Sequence, residues 1–244
     1  MLTYDDLSPG DKTTRKAFDL PAETISFYPV FLKLQGKKCV IVGAGDVAER
    51  KAARLLECGA AVSVIGREPT PGLRKLAGEG RLEYVPADYD EKLIKGAYLV
   101  ISATDDRAVN ESVRDAAHRG GVPVNVVDDP QLCDFILPSI VQKGGLQIAI
   151  STGGASPALA RNIRLDLDKK FGEEYALFLD VLGELRKRIL DKGRPSAENK
   201  EVFEAVVNSE ALDLIRRKKW EEARRVIRDI SGEDIDFEQF GIAR

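Results

Sequence analysis

Apolar residues along this chain first gather into short β-branched runs. From Lys37 the sequence KKCVIVG carries one such run into a glycine, and the following stretch sets Ala48, Ala52, Leu55, Leu56 and Gly59 along one helical face. AVSVIG, RLEYV, YLVISA and VPVNVV repeat the strand pattern, with charged, helix-like segments between most of them. Strands alternating with helices predict right-handed crossovers and a parallel sheet covered on both faces. After Asp128 the pattern changes. DFILPSIVQ and LQIAIST are strand-like runs joined at Lys143-Gly144-Gly145, where glycine supplies turn conformations that other residues resist, so a hairpin is expected. From Ser156 onward the chain reads as almost wholly helical, with a break near Gly193-Arg194-Pro195 and a weakly structured end after Gly232. The expected organisation is a polar extension over 1–26, a Rossmann-type α/β domain over 27–127, a hairpin and dimerisation region over 128–155, and a helical domain over 156–244.

Composition narrows the class of partner. With 43% hydrophobic and 32% charged residues, the 244-residue chain can bury a sizeable core. Lys+Arg 37 against Asp+Glu 40 leaves a net charge of -3, so no global basic field draws it to nucleic acid or anionic lipid, and neither is expected as a partner. No apolar run reaches the roughly 18 residues of a membrane span, and the opening MLTYDDLSPGDKTTRK lacks a secretory apolar run, so a cytoplasmic location is expected. Cys39, Cys58 and Cys133 form no CxxC pair and His118 is the lone histidine, which argues against a disulfide framework and a resident metal site. Cys39 reads as core, Cys58 as helix packing, and His118 as a structural residue near a helix end. Trp220 and the charged helices around it read as packing and solvated faces.

Gly43-Ala44-Gly45-Asp46-Val47-Ala48 is a GxGxxA fingerprint lying between a predicted strand and a predicted helix. Gly43 allows the tight turn, Gly45 lets backbone approach a pyrophosphate, and Ala48 lets helix pack on strand, while the helix start offers free N–H groups to the anion. A dinucleotide is the implied cofactor. Glu68 lies after the second strand, where a carboxylate holds the adenosine ribose and repels a 2′-phosphate. Arg67 beside it suits the phosphate instead, so the signal is mixed and the balance favours NAD over NADP. The plain alternative is that both side chains are solvated loop residues.

Three later segments sit where open α/β sheets bind ligands. Thr104-Asp105-Asp106 follows the fourth strand. Asp105 or Thr104 suits the cap of the next helix, while backbone around Ala103 and Thr104 is expected near the cofactor. Asn125-Val126-Val127-Asp128-Asp129-Pro130 leaves the fifth strand. A substrate that gives a hydride to NAD must also lose a proton, and with no His or Lys in this segment Asp128 is the available base. Asp129 before Pro130 reads as turn chemistry, and Asn125 is a candidate substrate contact. Ser151-Thr152-Gly153-Gly154-Ala155-Ser156-Pro157 enters a helix with Ser156 at the cap and Pro157 at the first position. Its amides and hydroxyls, with Arg161 and Arg164 beyond, suit substrate carboxylates. An ordinary well-capped helix start explains the same residues.

Taken together, FYPVFLKLQGKKCVIVGAGDVAERKAARLLECGA, ISATDD, NVVDDPQLCDFILPS and STGGASPALAR resemble, in order from about Phe27 to Arg164, the precorrin-2 dehydrogenase family, including the amino-terminal part of siroheme synthases. The resemblance implies NAD-dependent oxidation of precorrin-2 to sirohydrochlorin, in some members followed by insertion of ferrous ion, as a substrate, to give siroheme. It implies Asp128 as catalytic aspartate and Asp46, Val47, Arg67 and Glu68 as cofactor contacts. It also implies that the loop containing Thr152, Gly153, Gly154 and Ser156, which Arg161 follows on the next helix, lies on the substrate side, and it implies a homodimer built from the segment after Asp128. The likeness fades beyond about Leu190, and no methyltransferase part is expected.

A reading of a different class is a nucleotide-sensing module similar to the regulatory domains of potassium transporters, which also resembles GAG followed by an ATDD-type segment. Such a module binds NAD without chemistry and does not require NVVDDP, the hairpin and STGGASP in succession.

Overall fold

A computed structural model describes residues 27–193 and 195–242, so the polar extension expected over 1–26 lies outside the described residues. Two units separate at Lys33, and among the described residues every strand and helix lies in the second, which begins at Leu34. Five strands, β1 (Lys38–Val42), β2 (Ala61–Ile65), β3 (Glu83–Val85), β4 (Leu99–Ser102) and β5 (Val124–Val126), form an all-parallel sheet in the order β3-β2-β1-β4-β5. The order reverses between β1 and β4. At such a switch point the crossovers leave in opposite directions and open a crevice at the carboxyl ends of the strands.

The helices α1 (Asp46–Glu57) and α2 (Pro71–Gly78) cover one face of the sheet, and α3 (Arg107–Arg119) covers the other. Ala48, Ala52 and Leu55 of α1 meet Cys39, Ile41, Val62 and Val64. Val113 and Ala117 of α3 meet Val40, Val100, Val124 and Val126. β1, β2 and β4 therefore send residues to both apolar layers, which is why these runs read as nearly continuous apolar runs rather than alternating. Val127 and Phe135, from the chain beyond β5, also pack against the apolar layer on the α1 side.

β6 (Ser139–Lys143) and β7 (Leu146–Ile150) pair as the expected antiparallel hairpin, with Val141 its one buried residue among those described. The turn lies tight against the helices. A Cβ at Gly144, whose φ is +52°, would stand 2.7 Å from Ala176 Cβ, and Lys143 Nζ lies 3.2 Å from Asp168 and 3.3 Å from Glu173. Then come α4 (Pro157–Lys170), α5 (Glu174–Asp191), α6 (Ser196–Val207), α7 (Ala211–Arg216) and α8 (Trp220–Ser231), the break between α5 and α6 falling where glycine and proline predict it.

Phe178, Val181, Leu185, Ile189, Ile215 and Ile227 form the core of the helical region. Trp220 packs against it, as expected for a packing residue. The weakly structured end expected after Gly232 is a correction: Ile235 and Phe237 are buried in this core, and Arg224 clamps the segment through Asp234 at 2.6 and 2.7 Å. Cys58 is also corrected, since it is the exposed C-cap of α1 rather than a packing residue, whereas Cys39 is fully buried. Among the described residues no helix is long and apolar enough to cross a membrane.

Candidate active site

The phosphate loop is built from backbone placed against backbone. Gly43 has φ +112°, donates its N–H to Ile65 O at 2.8 Å, and faces Ala103 so closely that a Cβ would fall 2.2 Å from Ala103 O. Ala44 O accepts the Thr70 N–H at 3.1 Å, and Gly66 presses on Ala44. Gly45 differs. Its φ is ordinary and nothing lies within 4 Å of where its Cβ would stand. It opens α1 as an N-cap without a side-chain acceptor, so the first-turn N–H groups of Asp46 and Val47 have no side-chain partner and face open space. A cradle that a Cβ would fill, at an uncapped helix start, fits the pyrophosphate of a dinucleotide. The strand edge beside it is fixed by Asn110, whose Nδ2 donates to Thr104 O at 3.0 Å and whose Oδ1 accepts from Ser102 at 2.7 Å. The cap of α3 is Asp106, accepting from Ala108 and Val109 N–H, and this corrects the assignment to Asp105 or Thr104. Thr104 Oγ1 instead accepts the Asp106 N–H at 3.1 Å.

At the end of β2, Arg67 is paired with Asp88, and this partner holds its guanidinium proton above the ordinary range. Tyr84 fastens the turn by donating its hydroxyl to Gly66 O at 2.5 Å. Glu68 is exposed and forms no ion pair among the described residues. The carboxylate is thus the free group of the two, while the arginine is engaged by Asp88.

Asp128 follows β5 with φ +63°, one of two non-glycine residues among those described to adopt a positive φ. Aspartate tolerates this left-handed conformation, which costs most side chains more. Cys133 holds the turn. Its Sγ takes the Val126 N–H at 3.1 Å and reaches Val126 O at 3.1 Å and Asp129 O at 3.2 Å, and burial pushes the thiol above its ordinary value, so it stays protonated. Asn125 is buried, and its amide donates to Phe135 O at 2.9 Å. Its side chain therefore ties β5 to the chain returning at Phe135. His118 meets Asp134 at 3.0 Å, and Asp134 also accepts the Val124 N–H at 2.9 Å, in keeping with a structural histidine.

One residue that the sequence did not signal joins this site. Lys51, half-buried on α1, lies within range of the charge of Asp128. Burial pulls its ammonium below the ordinary value, neighbouring Arg50 adds to that, and Asp128 opposes it. Because no basic residue stands near Asp128 in sequence, only the folded sheet edge brings one to it.

In the loop after β7, Gly153 and Gly154 have φ +62° and +88°. Its amides are largely used internally: Gly153 N–H goes to Ser151 Oγ, Ala155 N–H to Thr152 O, and Ser156 N–H to Thr152 Oγ1, all within 3.1 Å. Ser156 caps α4 through the Leu159 N–H at 3.2 Å, with Pro157 at the first position as expected. The hydrogen bonds match the well-capped helix start, and the outward-facing group is exposed Arg161. Among the described residues no three His, Cys, Asp or Glu side chains gather as a metal site. A cavity of about 560 Å3 lies around Trp220 and Phe237 and is lined by none of these loops; another, of about 350 Å3, adjoins α1 and β6.

Residues 30–139 match the family described as "Putative NAD(P)-binding", and residues 143–169 match "Sirohaem biosynthesis protein central". Siroheme synthase of Methylococcus capsulatus is 38% identical over 203 residues, covering 83% of this chain and 43% of that protein. Siroheme synthase of Nitrosospira multiformis is 37% identical over 195 residues, covering 78% and 41%. The chain thus spans less than half the length of these relatives. Among solved structures, SirC, a precorrin-2 dehydrogenase, superimposes with a TM-score of 0.72 at 25% identity, covering 85% of this chain and all of that one.

Proposed function

We propose, from the premise that this chain belongs to the precorrin-2 dehydrogenase family found within siroheme synthases, that it oxidises precorrin-2 to sirohydrochlorin with NAD. The observation that carries this reading is an exposed carboxylate, Asp128, held by a constrained turn two strands from the phosphate cradle at the same sheet edge. When bound, the nicotinamide accepts a hydride from the substrate. The chain's own part is to take the proton released with it, and Asp128 does this as general base. Cys133 and Asn125 act as positioning residues that fix the turn. Gly43, Gly45, Asp46 and Val47 with Ala103 and Thr104 hold the dinucleotide. Free Glu68 and engaged Arg67 support NAD over NADP.

Thr152, Gly153, Gly154 and Ser156 of the loop, with Arg161 on α4 beyond it, form the substrate side. Residues 27–127 are taken as the cofactor domain, 128–155 as the dimerisation hairpin and 156–244 as the helical domain. A homodimer is supported by a two-stranded sheet that buries little by itself, beside α4 with Leu159 51% and Ile163 37% exposed on one face. A cytoplasmic location accords with three free cysteines. The sensor-module alternative is not favoured, since it has no use for the matched segment over 143–169.

Anaerobic turnover of precorrin-2 with NAD tests the reading. Asp128→Asn keeps the turn, because asparagine also accepts a positive φ, but removes the charge. Oxidation should fall by roughly 10²-fold or more while NAD affinity survives. Wild-type turnover in that variant would reduce Asp128 to a turn residue. Adding ferrous ion to the product of the same assay tests metal insertion.

A further inference from the structure

α1 presents a second chemistry on the face that leads away from the phosphate loop. Arg50 and Arg54 stand four residues apart, as do Lys51 and Leu55, so the four side chains share one side of the helix. They line the cavity of about 350 Å3, whose opposite wall is Leu137, Pro138 and Ile140 of the chain leading into and along β6. Among the described residues Arg50 and Lys51 form no ion pair, and Arg54 is held only by Glu57 three residues on, at 2.6 Å. That pair is partly exposed and of the kind that a better anion displaces readily. Other cations of the chain are coupled to carboxylates: Arg224 to Asp234, Arg216 to Glu174, Lys143 to Asp168. Here three cations converge on one apolar-walled cavity with no acid on its lining.

Resting on the function proposed above, we infer that this cavity is the subsite that binds the carboxylate arms along one edge of the tetrapyrrole, with Arg50, Lys51 and Arg54 as its anion receptors and Leu55, Leu137 and Ile140 as the surface for the ring. A substrate that is flat, apolar at its centre and anionic at its rim matches a wall of this kind, because the apolar side excludes water and strengthens each ion contact. The cavity lies at the small end of ligand pockets and takes an edge of the macrocycle, not the whole. Lys51 gives the subsite its link to chemistry. It lines the cavity and lies within range of the charge of Asp128, which links the subsite to the base.

The test uses uroporphyrin, a stable and fluorescent planar octacarboxylate, titrated into the full chain with NAD present, and coproporphyrin, with four carboxylates, in parallel. Arg50→Gln, Lys51→Gln and Arg54→Gln should each weaken uroporphyrin by roughly tenfold, the scale of one charged hydrogen bond, and coproporphyrin by less. Salt dependence of binding should flatten with each charge removed, and KM for precorrin-2 should rise by a larger factor than kcat falls. NAD affinity and circular dichroism should match wild type in every variant. Lys75→Gln, which removes an exposed cation of α2, serves as control and should change nothing. A folded triple variant with wild-type porphyrin affinity and wild-type KM would overturn the inference while leaving the dehydrogenase reading intact. A wild-type chain that neither binds the porphyrins nor oxidises precorrin-2 would overturn both. Unchanged porphyrin binding with halved particle mass in the triple variant would assign the cations to a contact with a second copy, and would equally overturn the subsite.

Discussion

Substituting alanine at each glycine of the phosphate loop should separate folding from cofactor binding. At Gly43 the backbone has φ +112°, and the new methyl would fall 2.2 Å from Ala103 O and 2.7 Å from Ala103 C. The unfavourable φ costs on the order of 1–3 kcal/mol. Overpacking adds about 1–3 kcal/mol more, and the neighbour is main chain of a central strand end that cannot swing aside. A loss of about 2–6 kcal/mol is a large share of the roughly 5–15 kcal/mol that holds a domain folded, and lowers the urea midpoint by about 1–2 M. At Gly45 the methyl meets nothing within 4 Å and φ is -83°. The stability cost there is only the poorer helix cap, roughly 0.5–1 kcal/mol. The methyl instead occupies the space in front of the α1 N–H groups. Losing even one charged hydrogen bond to a phosphate weakens NAD by about tenfold or more. Urea denaturation followed by intrinsic fluorescence, and calorimetric titration with NAD, read the two effects separately. Gly43→Ala at wild-type stability, or Gly45→Ala at wild-type affinity, would refute the account of the loop.

The remaining expectations are narrower. Glu68→Ala should shrink the preference for NAD over NADP by several-fold, and Asp88→Ala, which releases Arg67, should shrink it further; equal kcat/KM ratios in wild type and both variants would show that neither side chain faces the ribose. Burial, reinforced by Cys58, pushes the Cys39 thiol up from 9.0 to about 11. The unfolded chain therefore releases this proton first, so a contribution of about 3 kcal/mol is fully present below pH 9 and is lost as pH rises to 11. Cys39→Ala should flatten the loss of stability over that range, and a slope equal to wild type would refute the assignment. Ile163→Asp on the exposed face of α4 should halve the mass seen by light scattering if this face joins two chains, and an unchanged mass would exclude it.

The sheet and its helices were legible because β1, β2 and β4 are β-branched runs buried on two sides, and because α2, α3 and α4 start at side-chain caps, Thr70, Asp106 and Ser156. The phosphate loop was legible for a related reason: its glycines answer to local demands of turn and approach. Ile235 and Phe237 were hidden because they are isolated apolar residues among acids, and their burial depends on a helical core assembled from remote segments. The direction of Asn125 depends on which face of β5 meets the chain returning at Phe135, which no local period records. Lys51 escaped notice because within α1 it is an ordinary charged helix residue. Only the fold sets it within range of the charge of Asp128.

The left-handed backbone at Asp128 has a consequence for the substitutions this position can accept. Without strain the conformation admits glycine, asparagine and aspartate, and only the last brings an acid. Glutamate, the nearest chemical relative, carries the charge on a longer arm and bears the backbone penalty as well. The usual gradual route from one acid to the other is therefore closed here. Random variation at this site sorts into chains that fold and are silent and chains that are weakened twice, so the turn itself guards the identity of the base.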